Sequence, residues 1–270
     1  MITDTGPNVI KVLQVRGLEV SFDTDDGPIG AVRGISFDVR KNEIFGIVGE
    51  SGSGKTVTAL SILRILGNNA FISGGEVIFE GMDLLKAKKE SLRSIRGARI
   101  SMVFQEPATA LDPVFRAGYQ IEEALFAHRK ITASAAKAAA IEMLSTVHIK
   151  DPEKVYSSYP HELSGGTKQR VSIAMALVNS PELVIMDEPT TALDVTIQSG
   201  ILDLISEIAD KKKVSVLFIS HDLGVINRIC QRVAVMRRGE IVESGDKDVV
   251  LKNPSNGYTA SLLASARALS

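Results

Sequence analysis

A chain of 270 residues, 44% hydrophobic and 23% charged, has the composition of an ordinary globular protein near the upper size that one core supports. Its net charge of -1 lacks the basic excess that phosphate-backbone binding leaves, so nucleic acid is not the expected partner. The single cysteine, Cys230, lies in an apolar pattern and fits a reducing compartment; MITDTGPNVI does not read as a secretory signal, and no apolar run approaches the ~20 residues of a membrane span, so a membrane role works through a partner.

In chain order, VLQVRGLEVSF and AVRGISFDV flank the turn residues DDGPIG and read as a hairpin leading into the core strand IFGIVG. TVTALSILRIL predicts a helix closed by Gly67 and Asn68, and EVIFEG and RISMVF predict strands. Lys86, Lys88, Lys89, Arg93, Arg96 and Arg99 read as a solvated helix face, with anionic headgroups or a partner as the alternative. From about Asp112 to Ile149 the pattern is helical and alanine-rich, which predicts an inserted helical subdomain. LVIM, a helix from about Asp194 to Asp210, VSVLFIS, another helix and VAVMRRGEIVESG restore the alternation of a mostly parallel sheet covered by helices, with Lys211 to Lys213 as an exposed turn.

GESGSGKT, Gly49 to Thr56, is a phosphate-binding loop between a strand and a helix. Gly49, Gly52 and Gly54, with Ser51 and Ser53 between them, let successive N–H groups face phosphate oxygens; Lys55 adds a cation and Thr56 a hydroxyl for magnesium. LVIMDE ends an apolar strand in two carboxylates at the sheet's C-terminal edge, where Asp187 is placed to hold the magnesium shell and Glu188 to deprotonate an attacking water. Gln105 and His221 each close a core strand near the same edge. Gln105 as a magnesium ligand and His221 at the γ-phosphate stand against a purely structural hydrogen-bonding role for either. HELSGGTKQR raises a separate question, because Ser164, Gly165 and Gly166 open a second glycine-led helix while one nucleotide needs one phosphate loop.

Taken together, GESGSGKT, the glutamine of VFQEP, LSGGTKQR, LVIMDEPT, TALD and ISHDL resemble, in order and over about Leu13 to Leu263, the ATP-binding cassette (ABC) ATPases. VGESGSGKT, QEPATALDPVF, YPHELSGG, MDEPTTALDVT and NPSNGYTASLL resemble the oligopeptide, dipeptide and nickel importer subunits within them. The resemblance implies an α/β phosphate-loop NTPase with a mostly parallel core sheet, an N-terminal antiparallel β subdomain and an inserted helical subdomain. It implies a nucleotide-binding core at about 11–105 and 180–245, a helical subdomain bearing the signature at about 106–179, and a helical tail at 246–270. ATP and magnesium are the implied cofactors, with Thr56, Gln105 and Asp187 toward the metal. Phe22 matches the aromatic that stacks on adenine, a core-packed strand residue being the alternative; Glu188 matches the base, His221 the switch histidine and Asp194 the loop between two nucleotide sites.

In such a family two subunits face head to tail, so that Ser164, Gly165 and Gly166 close the other subunit's site. Transmembrane permease subunits, docked on DPVFRAGYQIEEAL, and indirectly an extracytoplasmic substrate-binding protein are the implied partners, at the cytoplasmic face of the membrane. A nucleotide-gated interaction module without transport is the alternative. Thr167 departs from the glutamine or methionine usual at that signature position, and the chain stops soon after NGYTASLL without the cysteine-containing extension of many peptide-importer subunits.

Overall fold

The alternating segments at the start pair as expected: β1 (Lys11–Phe22) and β2 (Ile29–Arg40) run antiparallel. With β4 (Ala70–Phe79) and the short β5 (Met82–Asp83) they form a sheet of order β2-β1-β4-β5. A second sheet has the order β10-β9-β3-β8-β7-β6, made from β3 (Ile44–Val48), β6 (Ile100–Val103), β7 (Leu183–Asp187), β8 (Ser215–Ser220), β9 (Arg232–Arg237) and β10 (Glu240–Asp246). Its strands run parallel except for the β9–β10 hairpin. The structure is a computed structural model and describes residues 9–106, 110–191 and 193–268, with backbone alone at 267 and 268. Parts of the QEPATALDPVF and TALD phrases lie outside the described residues.

Strands β3, β7 and β8 are buried along their whole length, which is why they read as unbroken apolar runs. Their residues still alternate between faces. Ile44, Val48, Val184, Met186, Val216 and Phe218 join one apolar cluster, while Phe45, Ile47, Leu183, Ile185, Leu217 and Ile219 join the other. The first cluster is covered by α3 (Ala117–Phe126), α4 (Ala133–Thr146), α6 (Gly165–Leu177), α7 (Val195–Lys212) and α8 (Leu223–Ile229). The second is covered by the antiparallel sheet, α1 (Lys55–Ile62) and α2 (Lys89–Ile95). Between α4 and α6 lie α5 (Pro152–Ser157), begun by Asp151 as cap and Pro152 in the first turn, and a 3-10 turn at Pro160–Glu162. The chain then runs through α9 (Lys247–Lys252) and α10 (Gly257–Ala268).

Some local expectations are corrected. Helix α1 stops at Ile62, short of Gly67, because Arg64 takes a left-handed backbone (φ 51°) and its guanidinium donates to the Leu84 and Ala87 carbonyls. The carbonyls freed at that end accept from Arg96, at 2.7 Å for Leu63 and 2.9 Å for Arg64, so a distant arginine takes the part expected of glycine. Arg96 is thereby withdrawn from the presumed solvated basic face. Arg99 pairs with Glu182 and Glu80, and Lys86 with Asp83 and Glu76, while Lys86, Lys88, Lys89 and Arg93 are all exposed. Lys211 and Lys212 belong to the last turn of α7, where cations face the helix's carbonyl end, and Lys213 caps it in left-handed conformation.

Candidate nucleotide site

Strand β3 feeds a loop that must pass close under β9. A Cβ on Gly49 would lie 2.1 Å from the Met236 carbonyl oxygen, and one on Gly54 (φ 104°) would lie 2.6 Å from that of Ala31, so neither position admits a side chain. The curl leaves a cavity of about 680 Å³ lined by Phe22, Ser51, Gly52, Gly54, Lys55, Thr56, Gln105, Glu188 and His221 among others. Lys55, 4% exposed, donates to the Gly49 and Glu50 carbonyls at 2.8 and 2.9 Å, which holds its ammonium across the loop. Burial lowers its pKa, opposed by Glu188 and Asp187.

The end of β7 presents the two carboxylates differently. Asp187, 2% exposed, accepts from the Thr56 hydroxyl at 3.2 Å; burial raises its pKa, while that hydrogen bond and Lys55 oppose the rise. Glu188 has left-handed backbone (φ 47°) and turns its carboxylate into the cavity. Its Oε2 lies 2.9 Å from His221 Nδ1 and accepts from Gln105 Nε2 at 3.2 Å and Thr191 Oγ1 at 3.0 Å. Its Oε1 is 3.9 Å from Lys55 Nζ. One carboxylate thus gathers side chains from the ends of three neighbouring strands, β6, β7 and β8.

The other expected residues divide into two groups. Phe22 is half-exposed on the cavity wall and does not join the buried core. Ser53 is buried with its hydroxyl unpartnered among the described residues. Ser164, Gly165, Gly166 and Asp194 do not line this cavity. Ser164 caps α6, accepting from the Thr167 N–H at 3.3 Å and sharing a 2.9 Å hydrogen bond with the Thr167 hydroxyl, a contact that the unusual threonine makes available. Asp194 caps α7 through the Ile197 N–H at 2.9 Å. A Cβ on Gly166 would meet Ile197 at 2.7 Å, so that glycine lets the two caps sit together as a separate, outward cluster beside Val195, which is 82% exposed.

Thr191, Glu50 and Leu262 also line this cavity and are not singled out by the sequence. Thr191 had a signal, its place three residues after Glu188; Leu262 had none, since an apolar helix position carries no information about which cavity it reaches. A second, apolar groove of about 300 Å³ runs between the end of β6 and α3 and α6, lined by Ile65, Phe104, His128 and Met175 among others.

The ABC transporter family matches residues 32–191, and a shorter match to an AAA domain family, described as a putative AbiEii toxin of a Type IV TA system, covers 156–227. The chain belongs to the ABC transporter family of ATPases: it binds and hydrolyses ATP. It is 47% identical over 95% of its length to the oligopeptide transport ATP-binding protein OppD of Bacillus subtilis, covering 72% of that protein. It is 49% identical over 94% of its length to the dipeptide transport ATP-binding protein DppD of the same organism, covering 76% of it. Among solved structures, the ATP-binding cassette MJ0796, in a dimeric post-hydrolysis state bound to ADP and Pi, superposes with a TM-score of 0.78 at 26% identity, over 87% of this chain and 98% of that one. The cbiO1 subunit from Clostridium perfringens gives a TM-score of 0.76, over 90% of this chain and 92% of that one. No helix among the described residues is long and apolar enough to cross a membrane.

Proposed function

We propose that this chain is the ATP-hydrolysing subunit of an importer of the peptide class, working at the cytoplasmic face of the membrane as one of two cassettes attached to permease subunits. The observation that carries the hydrolytic part is the Glu188 carboxylate held between His221, Gln105 and Thr191 at the mouth of the phosphate loop. The loop from Gly49 to Thr56 cradles the phosphates, Lys55 balances their charge and Phe22 stacks on the base. Glu188 takes the proton of an attacking water, while His221 and Gln105 orient its carboxylate and register the γ-phosphate.

Magnesium, when bound, offsets charge on the phosphate oxygens. The residues present fit it, because the Thr56 hydroxyl and the buried Asp187 carboxylate lie 3.2 Å apart with Gln105 on the same cavity, an all-oxygen set that phosphates would complete. Ser164, Gly165, Gly166 and Asp194 serve the opposite subunit's nucleotide, which is supported by their absence from their own chain's cavity.

The names of the relatives support peptides as cargo; on this reading cargo is delivered by an extracytoplasmic substrate-binding protein, with nickel chelates or oligosaccharides as the alternative cargo. Reconstitution with the copurifying permease in vesicles tests the whole reading. ATP hydrolysis should rise when the loaded binding protein is added, and labelled peptide should accumulate. Hydrolysis indifferent to permease and cargo would instead favour a nucleotide-gated module without transport.

A further inference from the structure

Glu50 is an awkward residue for a phosphate loop, since its carboxylate is exposed on the cavity meant for an anion. Beside it lies another cleft, of about 610 Å³, which shares Glu50 and Leu262 with the nucleotide cavity and is lined also by Arg237, Tyr258 and Ser261. The Arg237 guanidinium stacks 4.5 Å from the centre of the Tyr258 ring. The Tyr258 hydroxyl is buried without a hydrogen-bond partner among the described residues, in the cleft whose wall Glu50 shares. Burial foremost, and then the Glu50 carboxylate, raise that phenol's pKa, while the Glu50 backbone and Arg237 oppose.

Tyr258 is seated firmly. Helix α10 is anchored at its start by Glu243, which accepts from the Ser255 N–H at 2.7 Å, the Ser255 hydroxyl at 2.8 Å and the Asn256 N–H at 3.3 Å; Asn256 in turn accepts from the Tyr258 N–H at 2.8 Å. Tyr258, Leu262 and Leu263 then pack on the apolar cluster that includes Leu223 and Ile226 of α8. The last helix is therefore placed to present Tyr258 to the phosphate loop.

We propose that Arg237 and Tyr258, across the cleft they share with Glu50, are positioning residues of the nucleotide site, which offset the charge that Glu50 brings to its cavity. The C-terminal helix is on this account part of the ATP site. The inference rests on the proposed reading that the Gly49 to Thr56 loop of this cavity binds ATP.

A double-mutant cycle tests it, with a fluorescent ATP analogue titrated into the full chain and thermal melting measured alongside. Arg237→Ala should weaken the analogue about fivefold, and Arg237→Lys should restore most of that loss. Glu50→Gln alone should tighten the analogue, because it removes the repulsion itself. In the Glu50→Gln background, Arg237→Ala should cost little. Tyr258→Phe should behave as a smaller Arg237→Ala. An undiminished loss in the Glu50→Gln background would overturn the proposal, since it would mean that Arg237 attracts the nucleotide directly or merely supports the fold. Unchanged affinity for Arg237→Ala in the parent chain would overturn it as well. Failure of the unmutated chain to bind the analogue would sink the ATP-site reading itself, a result separable from either of these.

Discussion

The Glu188 carboxylate and the His221 imidazole meet at 2.9 Å, Oε2 to Nδ1, across 33 residues of chain. The contact arises because β7 and β8 run parallel, with Asp187 opposite Ile219, so that the residues just beyond each strand emerge at one edge. With Nδ1 protonated, the histidine donates to the carboxylate and fixes its orientation.

Glu188→Gln should keep ATP affinity near that of the parent and reduce turnover by about 10² to 10⁴, the usual worth of a general base. The amide preserves the shape of the residue and the phosphate cradle but takes no proton. Paired measurements of nucleotide binding and phosphate release check this; turnover near the parent rate would remove Glu188 from the assignment. Lys55→Ala should instead abolish productive binding.

Two linked or co-assembled copies separate a shared site from one within a chain. With Lys55→Ala and Ser164→Arg in the same copy, both shared sites are damaged; with one in each copy, both lesions fall in a single site and the other is spared. ATPase activity should therefore be higher for the split arrangement. The reverse ranking would place Ser164 in its own chain's site.

Docking of a permease at the helical face is testable with thiol chemistry. Val114 (69% exposed), Phe115 and Tyr119 present exposed apolar side chains just before and at the start of α3. The only native thiol, Cys230, is buried, and burial pushes its pKa up, which leaves it inert. Val114→Cys or Tyr119→Cys should then crosslink to a copurified permease, whereas Val249→Cys, also exposed but on α9, should not; crosslinking confined to α9 would count against this docking surface.

Packing inside the helical group offers a stability test. A Cβ on Gly118 of α3 would fall 2.1 Å from Tyr156 Cδ2, and Tyr156 is itself pinned by a 2.6 Å hydrogen bond from its hydroxyl to Glu122. Gly118→Ala should destabilise the protein by about 1–3 kcal/mol despite alanine's better helix propensity. Urea denaturation should show a lower midpoint, and an unchanged or higher midpoint would refute the close packing.

The Arg99–Glu182 pair links the start of β7 to the segment before β6, with Arg99 Nε donating at 2.6 Å and Nη2 at 3.0 Å. The hydrogen bond from Arg99 holds the Glu182 carboxyl below its ordinary value of 4.5. Its stabilising contribution is therefore complete above that value and lost as pH falls through the lower folded one. The Tm gap between the parent and Glu182→Gln should be present near neutral pH and close in acid; a gap independent of pH would exclude this linkage.

Much was determined by neighbouring residues alone. Alternation marked β1 and β2 as a two-faced hairpin, unbroken apolar runs marked β3, β7 and β8 as interior strands, and glycines at Gly49 and Gly54 marked a loop whose backbone curls. Such features are legible because they express conformational preferences and burial patterns that act within a few residues. The candidate nucleotide residues from Gly49 to Thr56 and the carboxylates at 187 and 188 were legible for the same reason. Tertiary structure alone decided which of these meet. The strand order β3-β8-β7-β6 brings Gln105 and His221 onto the Glu188 oxygen that Thr191 reaches locally, and Ser164 and Asp194 fall in an outward cluster. It also let Arg96 end α1 early and let α10 deliver Tyr258 to Glu50, because a hydrogen bond or a charge contact depends on separation in space, and only the folded chain sets that separation.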